Sequence, residues 1–210
     1  MENLEKRIAQ SLLQIKAIKL QPANHFTWAS GWKSPIYCDN RKTLSYPEIR
    51  NEIRDGFVQI IKEKYGTPDY IAGVATGAIA IGVLVAEAMN LPFVYVRPKP
   101  KEHGLGNMIE GEIKPGKKVV VVEDLISTGK SSLKAVEALR NAEVEVLGMV
   151  AIFTYGFSVS EKNFNESNVT LNTLSNYQVL INSALETNYI QESDVETLKD
   201  WRKDPENWNK

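Results

Sequence analysis

The stretch richest in chemistry is Val119-Val120-Val121-Val122-Glu123-Asp124-Leu125-Ile126-Ser127-Thr128-Gly129-Lys130-Ser131-Ser132. Its continuous valines read as a strand buried on both faces, which leads through two acids into a hydroxyl- and glycine-containing turn and then a helical pattern. The open N–H groups of a helix start, backed by the helix dipole, favour a phosphate. Gly129 lets the backbone approach an anion closely, and Ser127, Thr128 and Ser131 can add hydroxyl donors. Glu123 and Asp124 fall at the carboxyl end of the strand, where open α/β sheets bind ligands. Two carboxylates would repel the phosphate, so they are expected to face vicinal ribose hydroxyls or a cation. Capping explains any one of these turn residues but not two adjacent acids straight after the strand. An ATP-binding P-loop is excluded, because the residue five positions before Gly129 is Asp124 rather than glycine.

A second group of chemical residues lies in Arg97-Pro98-Lys99-Pro100-Lys101-Glu102-His103-Gly104-Leu105-Gly106. It opens an aperiodic stretch, residues 98–116, and a loop of that length inside a compact domain is often functional. A charge run is ordinarily a solvated surface. Here the cations are concentrated between two strand-like segments, in a loop able to close over an anionic leaving group and exclude water.

The elements that must position these groups alternate along the chain. Leu4, Ile8, Leu12 and Ile15 predict a first helix from Leu4 to about Ile18. Pro22 to Arg41 reads as short strands and turns. A second helix is expected from Ser45, with Ser45 and Glu48 as a capping box and Ile49, Ile53, Phe57 and Ile60 on one face. Strands are expected at Tyr70–Val74, Phe93–Arg97, Lys118–Val122 and Val144–Thr154, with helices at Ala78–Met89 and Ser131–Arg140 between them. Such alternation implies parallel βαβ units in a doubly wound α/β sheet. In the polar tail from Ser158, helices are expected near Tyr177–Glu186 and Val195–Arg202.

Bulk properties narrow the function classes. A chain of 210 residues suits a single domain, and 25 basic against 26 acidic residues argue against an extended nucleic-acid or anionic-membrane surface. Cys38 is the only cysteine, which rules out an intrachain disulfide and a cysteine-rich zinc site. The charged start MENLEKRIAQ lacks the apolar core of a signal peptide, and no apolar run approaches the ~20 residues that span a bilayer. The expected location is the cytoplasm.

The Glu123–Ser131 string resembles the phosphoribosyl pyrophosphate (PRPP) motif of type I phosphoribosyltransferases. Phe26-Thr27-Trp28-Ala29-Ser30-Gly31-Trp32-Lys33-Ser34-Pro35-Ile36-Tyr37-Cys38-Asp39-Asn40-Arg41 resembles the N-terminal signature of the orotate phosphoribosyltransferases, and Arg97–Gly106 their mobile catalytic loop. The resemblance runs from about Phe26 to Tyr155. It implies a type I phosphoribosyltransferase fold, with a mostly parallel central sheet and a small hood built from the N-terminal segment, which lies within residues 1–45. It further implies transfer of phosphoribose from PRPP to orotate. PRPP would be bound by Arg97, Lys101, His103, Glu123, Asp124, Leu125, Ile126, Ser127, Thr128, Gly129, Lys130 and Ser131. Lys101, His103 and Asp124 would be catalytic, and Ser127 would contact orotate. Mg²⁺ would be held mainly by substrate, and a homodimer would share the 98–116 loop across subunits, with no nucleic-acid or membrane partner.

The chain departs from that family pattern in several places. Trp28-Ala29-Ser30-Gly31 stands where many members read Leu-Lys-Ser-Gly, and Pro98 where a lysine is common. Ala75-Thr76-Gly77-Ala78 stands where Lys-Gly is usual, and no arginine lies near Phe153-Thr154-Tyr155-Gly156. Lys33 and Lys99 are the cations left to compensate. Two rival readings are a phosphoribosyltransferase for a purine base, which the Phe26–Arg41 segment argues against, and a PRPP-binding regulator without catalysis. A regulator would carry a nucleic-acid element with a basic face, and Lys6, Arg7, Lys16 and Lys19 are too few and too dispersed for one.

Overall fold

The computed structural model describes residues 2–28, 30–99 and 108–208. Helix α1 (Glu2–Gln14) is followed by strand β1 (Ile18–Leu20), a hairpin of β2 (Phe26–Thr27) and β3 (Lys33–Ser34), and β4 (Ile36–Cys38). A 3-10 turn at Asn40–Ser45 precedes α2 (Pro47–Lys64), β5 (Tyr70–Val74), α3 (Ile79–Met89), β6 (Phe93–Val96) and β7 (Ile109–Glu110). Then come β8 (Lys118–Ile126), α4 (Lys130–Asn141), β9 (Glu145–Thr154), α5 (Ser158–Glu166), β10 (Leu171–Asn176), α6 (Tyr177–Glu186) and α7 (Glu192–Lys203). No described helix is long and apolar enough to cross a membrane.

The valine strand sits inside a six-stranded sheet of order β10-β9-β8-β5-β6-β7, parallel except for β7. Side chains on a strand alternate between faces, and here both faces are covered. Val120 and Val122 join a core with Ile8, Phe57, Val85 and Leu180. Val119 and Val121 join a second core with Val136, Leu139 and Phe164. Helices α1, α2, α3, α6 and α7 therefore pack on one face, and α4 and α5 on the other, the doubly wound arrangement expected from the alternating pattern.

Several boundaries differ from the sequence-based expectation. Helix α1 stops at Gln14 because Lys16 takes a left-handed conformation (φ 56°) and turns the chain into β1, which pairs antiparallel with β4. Ile15 and Ile18 are buried as expected, but from a turn and a strand. Helix α2 begins at Pro47 rather than Ser45, since the 3-10 turn occupies Asn40–Ser45 and proline suits the first helical position, where no N–H partner is needed. Strand β8 runs four residues past Val122, because β9 continues beside it to the Ile126–Thr154 pair. β10 lacks the apolar alternation of a half-buried strand, and as an edge strand it can carry the polar sequence LNTLSN.

The tail supplies the largest fully buried side chain, Trp201. Its ring lies 5.7 Å from Trp28, 5.6 Å from Tyr155, 5.4 Å from Phe157 and 5.6 Å from Tyr177. Its indole N–H donates to the Lys33 carbonyl at 3.2 Å. Helix α7 thereby pins the N-terminal hairpin to the end of β9. Trp201→Ala is expected to lower the unfolding free energy by about 3–5 kcal/mol, read from the urea midpoint at unchanged slope. A loss below about 1 kcal/mol would show that the aromatic cluster simply repacks.

Candidate active site

The chain leaves β5 for β6 on one side and later returns to β8 on the other, so the strand order reverses between β5 and β8. Ligands of open α/β sheets bind at such a switch point, beyond the carboxyl ends of the strands. A cleft of about 270 Å³ lies there, lined by Val74, Ala75, Thr76 and Gly77 on one side and by Glu123–Leu125 and Ser127–Ser132 on the other. The peptide bond between Ala75 and Thr76 is cis. A larger surface cleft of about 810 Å³ between α1 and α2 is lined by Glu48 and Glu52 and by no cation, which does not suit a phosphate.

The two acids play different parts. Glu123 is only 5% exposed. One carboxyl oxygen accepts from the Asp124 N–H at 2.9 Å and the other from the Ser132 hydroxyl at 2.8 Å. Burial, reinforced by the neighbouring Asp124 carboxylate, holds its pKa well above the usual glutamate range. Asp124 is half-buried, and its carboxylate lies directly over Gly77, where an added Cβ would overlap it. Of the pair, Asp124 is the acid available to a ligand. The Asp124 carbonyl accepts from the Asn40 side-chain amide at 2.6 Å.

The turn that follows is built for its shape. Gly129 takes φ 77° as the residue before α4, and a Cβ there would come within 2.7 Å of the Phe164 ring. Glycine is required here by conformation and by packing against α5, whatever an anion adds. The Asn163 side-chain amide donates to the Thr128 carbonyl at 2.9 Å. Among the described residues no hydrogen bond engages the hydroxyl of Ser127, Thr128 or Ser131, so these hydroxyls and the opening amides of α4 line the cleft with donor capacity in hand.

The structure therefore brings together Glu123, Asp124, Ser127, Thr128, Gly129, Lys130 and Ser131. Leu125 lines the cleft while packing on the first core, and Ile126 is wholly buried in the second, so from Ile126 only a peptide group could serve a ligand. Arg97 is not part of this lining. Its N–H donates to the Met108 carbonyl at 2.8 Å and its guanidinium stands 3.5 Å from Glu110, at the base of the loop. Lys101, His103 and Ala29 lie outside the described residues. Lys33 donates to Thr27 across the β2–β3 hairpin at 3.1 Å. Residues that sequence reasoning missed are Asn40, Asn163 and Ser132. Asn40 stood inside the Phe26–Arg41 signature and Ser132 at the end of the strand–turn string, but neither was singled out, and Asn163 lay outside both. Among the described residues no group of three or more His, Cys, Asp or Glu side chains could hold a metal ion.

The folded chain holds the Glu123 proton more tightly than the unfolded chain does. Its contribution to stability is complete below the ordinary glutamate value of about 4.3 and declines as pH rises through the raised folded value. Glu123→Gln should remove that decline, so the stability advantage of the parent over the variant shrinks from acidic to neutral pH in urea titrations. Parallel pH dependences in the two proteins would show that Glu123 holds no such proton.

Comparison with known proteins agrees with this geometry. Residues 42–183 match the family model described as the phosphoribosyl transferase domain. The orotate phosphoribosyltransferase of Bacteroides thetaiotaomicron is 64% identical over 209 residues, covering 100% of this chain and 99% of that protein. The orotate phosphoribosyltransferase of Listeria monocytogenes is 54% identical over 208 residues, 99% of this chain and 100% of that one. Among solved structures, Leishmania donovani UMP synthase has a TM-score of 0.79 at 26% identity, covering 94% of this chain and 42% of that chain. Orotate phosphoribosyltransferase from Aeropyrum pernix shares the fold, with a TM-score of 0.75 at 24% identity over 88% of this chain and 99% of that chain. A doubly wound sheet, an acid pair and a donor-rich turn at its switch point, and full-length relatives at these identities give one answer: the chain has the type I phosphoribosyltransferase fold and belongs to the orotate phosphoribosyltransferases.

Proposed function

We infer that the chain, acting as one phosphoribosyltransferase unit, transfers the phosphoribosyl group of PRPP to orotate. The products are orotidine 5′-phosphate and pyrophosphate, a step of de novo UMP synthesis. The observation that carries this reading is the half-buried Asp124 carboxylate beside the unengaged hydroxyls of the Ser127–Ser131 turn. A 5′-phosphate fits the turn and the opening amides of α4. Vicinal ribose hydroxyls, as donors, fit Asp124, while the buried Glu123 holds the Asp124 N–H and the start of α4 in place. Ser127, at the cleft rim, is the base-contacting candidate.

As the bond from C1 to pyrophosphate lengthens, positive charge grows on the sugar and negative charge on the leaving group. The orotate ring nitrogen, its proton already released to solvent, then forms the new bond to C1 while pyrophosphate departs with the electron pair of the old one. Lys101 and His103 are assigned to the leaving group, with Arg97 anchoring the phosphates. Support comes from the loop's attachment: Arg97 pairs with Met108, and the preceding Val96 carbonyl accepts from the N–H of Ala75, a cleft residue, at 2.9 Å. Asp124 also suits Mg²⁺, a hard cation that takes one or two carboxylates together with substrate oxygens and water. When bound, Mg²⁺ would neutralise pyrophosphate charge. A cytoplasmic homodimer, with the 98–116 loop reaching the partner's cleft, completes the proposal.

A base panel tests it directly: purified protein, PRPP and Mg²⁺ with orotate, uracil, adenine, hypoxanthine or xanthine, following pyrophosphate release. Release with orotate alone is expected. Release with a purine would overturn the choice of base, and PRPP binding without release would favour a regulator. Lys101→Ala should lower kcat on the order of 10²-fold or more with an unchanged unfolding transition, and near-normal turnover would remove Lys101 from the mechanism. Asp124→Asn should raise the KM for PRPP roughly tenfold to a hundredfold, and an unaltered PRPP response would sink the ribose assignment.

A further inference from the structure

We propose that Asn40 is a positioning residue for the transfer reaction, its buried amide setting the Asp124 peptide and thereby the carboxylate that meets the ribose. The inference rests on the assignment of Asp124 to PRPP. Its origin is a mismatch in strand lengths. The ladder between β5 and β8 reaches only the pair of Gly73 with Val122, while β8 continues to Ile126 against β9. Past Val122 the strand has outrun its partner on the cleft side, and backbone groups buried without a partner are unfavourable. Side chains take over at Asp124. Its N–H goes to the Glu123 carboxyl, and its carbonyl receives the Asn40 amide at 2.6 Å.

Asn40 is suited to this by more than proximity. It is 1% exposed and lies 84 residues away in sequence, at the start of the 3-10 turn that closes the Phe26–Arg41 segment. Its side-chain oxygen accepts from the Cys38 thiol at 3.2 Å, and its backbone carbonyl accepts from the Thr43 hydroxyl at 2.6 Å. Only a donor can meet the Asp124 carbonyl, so the amide has one useful orientation. On the other side the Asp124 carboxylate rests against Gly77. Tether and contact together leave the acid little freedom, which is the condition for a group that must meet a developing charge in fixed geometry.

The competing account is that Asn40 merely satisfies a buried carbonyl. A double-mutant cycle separates the two, with steady-state kinetics and calorimetric PRPP binding on Asn40→Ala and Asn40→Asp, each made with Asp124 and with Asp124→Asn. If Asn40 acts through Asp124, Asn40→Ala lowers kcat/KM for PRPP on the order of 10²-fold and weakens PRPP binding. The same change then costs little more in the Asp124→Asn background, because coupled residues are not additive. Asn40→Asp, which keeps the shape and loses the donor, should be at least as damaging and serves if the alanine variant fails to fold. Equal losses in both backgrounds, or lowered stability with intact PRPP binding, overturn the inference. A parent protein active with PRPP beside unimpaired Asn40 variants sinks it alone, whereas a parent that neither binds nor consumes PRPP sinks the transferase reading as well.

Discussion

A carboxyl group buried directly after the valine run of β8 must have its oxygens met by donors, or the strand is destabilised there. Glu123 meets that requirement with the Asp124 N–H on one side and the Ser132 hydroxyl, in the first turn of α4, on the other. Those two donors stand at opposite ends of the intervening turn. The buried acid thus closes the turn on itself, and the hydroxyl side chains of Ser127, Thr128 and Ser131 and the opening amides of α4 are left lining the cleft, while Ile126 anchors the turn in the core. The shape of the cleft on this side follows from this closure. Burial and the neighbouring Asp124 carboxylate raise the proton affinity of Glu123 against the opposing pull of those two donors, which separates the two acids into one that holds the structure and one that faces the cleft.

The same logic extends to the tail, whose chemistry is unreadable in isolation. Arg202 on α7 donates to the carbonyls of Tyr155 and Gly156, each at 3.0 Å, and stands over the Tyr177 ring. Gly156 accepts this at φ 63°, and a Cβ there would approach the guanidinium to 2.8 Å. Trp201, one residue earlier, holds Trp28 and the Lys33 carbonyl. Two consecutive residues near the end of the chain therefore fix both the end of β9 and the N-terminal hairpin. The end of β9, which pairs with the cleft strand β8, and the N-terminal hairpin thus depend on a helix that contributes no residue to the cleft.

The doubly wound sheet was legible because its signals are long and redundant: the Val119–Val122 run, the apolar face of α2 and the small-residue face of α3 each involve many positions. The acid pair and the turn were legible because strand, acids, hydroxyls and glycine occur together in a short string. What escaped were single-residue decisions. Nothing local marks Lys16 as left-handed, and Pro47 outcompeted Ser45 as a helix start. Asn40 and Asn163 are ordinary polar residues until tertiary structure carries each amide to a carbonyl in the turn, from opposite faces of the sheet. Gly129 was read correctly as necessary but for an incomplete reason, since its contact with Phe164 depends on a helix that begins 29 residues later.

The departures from the family pattern also acquire a physical meaning. Gly77 lies beneath the Asp124 carboxylate, so no side chain, cationic or otherwise, can stand at that position without displacing the acid. On this wall of the cleft the side chain available is that of Thr76, which is neutral. Positive charge must come from the opposite wall, and α4 supplies it. Its first turn contains no acid and carries the exposed Lys130, an arrangement unfavourable to the helix itself, whose amino end is already positive. An anion seated on those amides would turn that repulsion into attraction. The electrostatic strain at the start of α4 is therefore intelligible as one half of a binding site, with the phosphate as the other half.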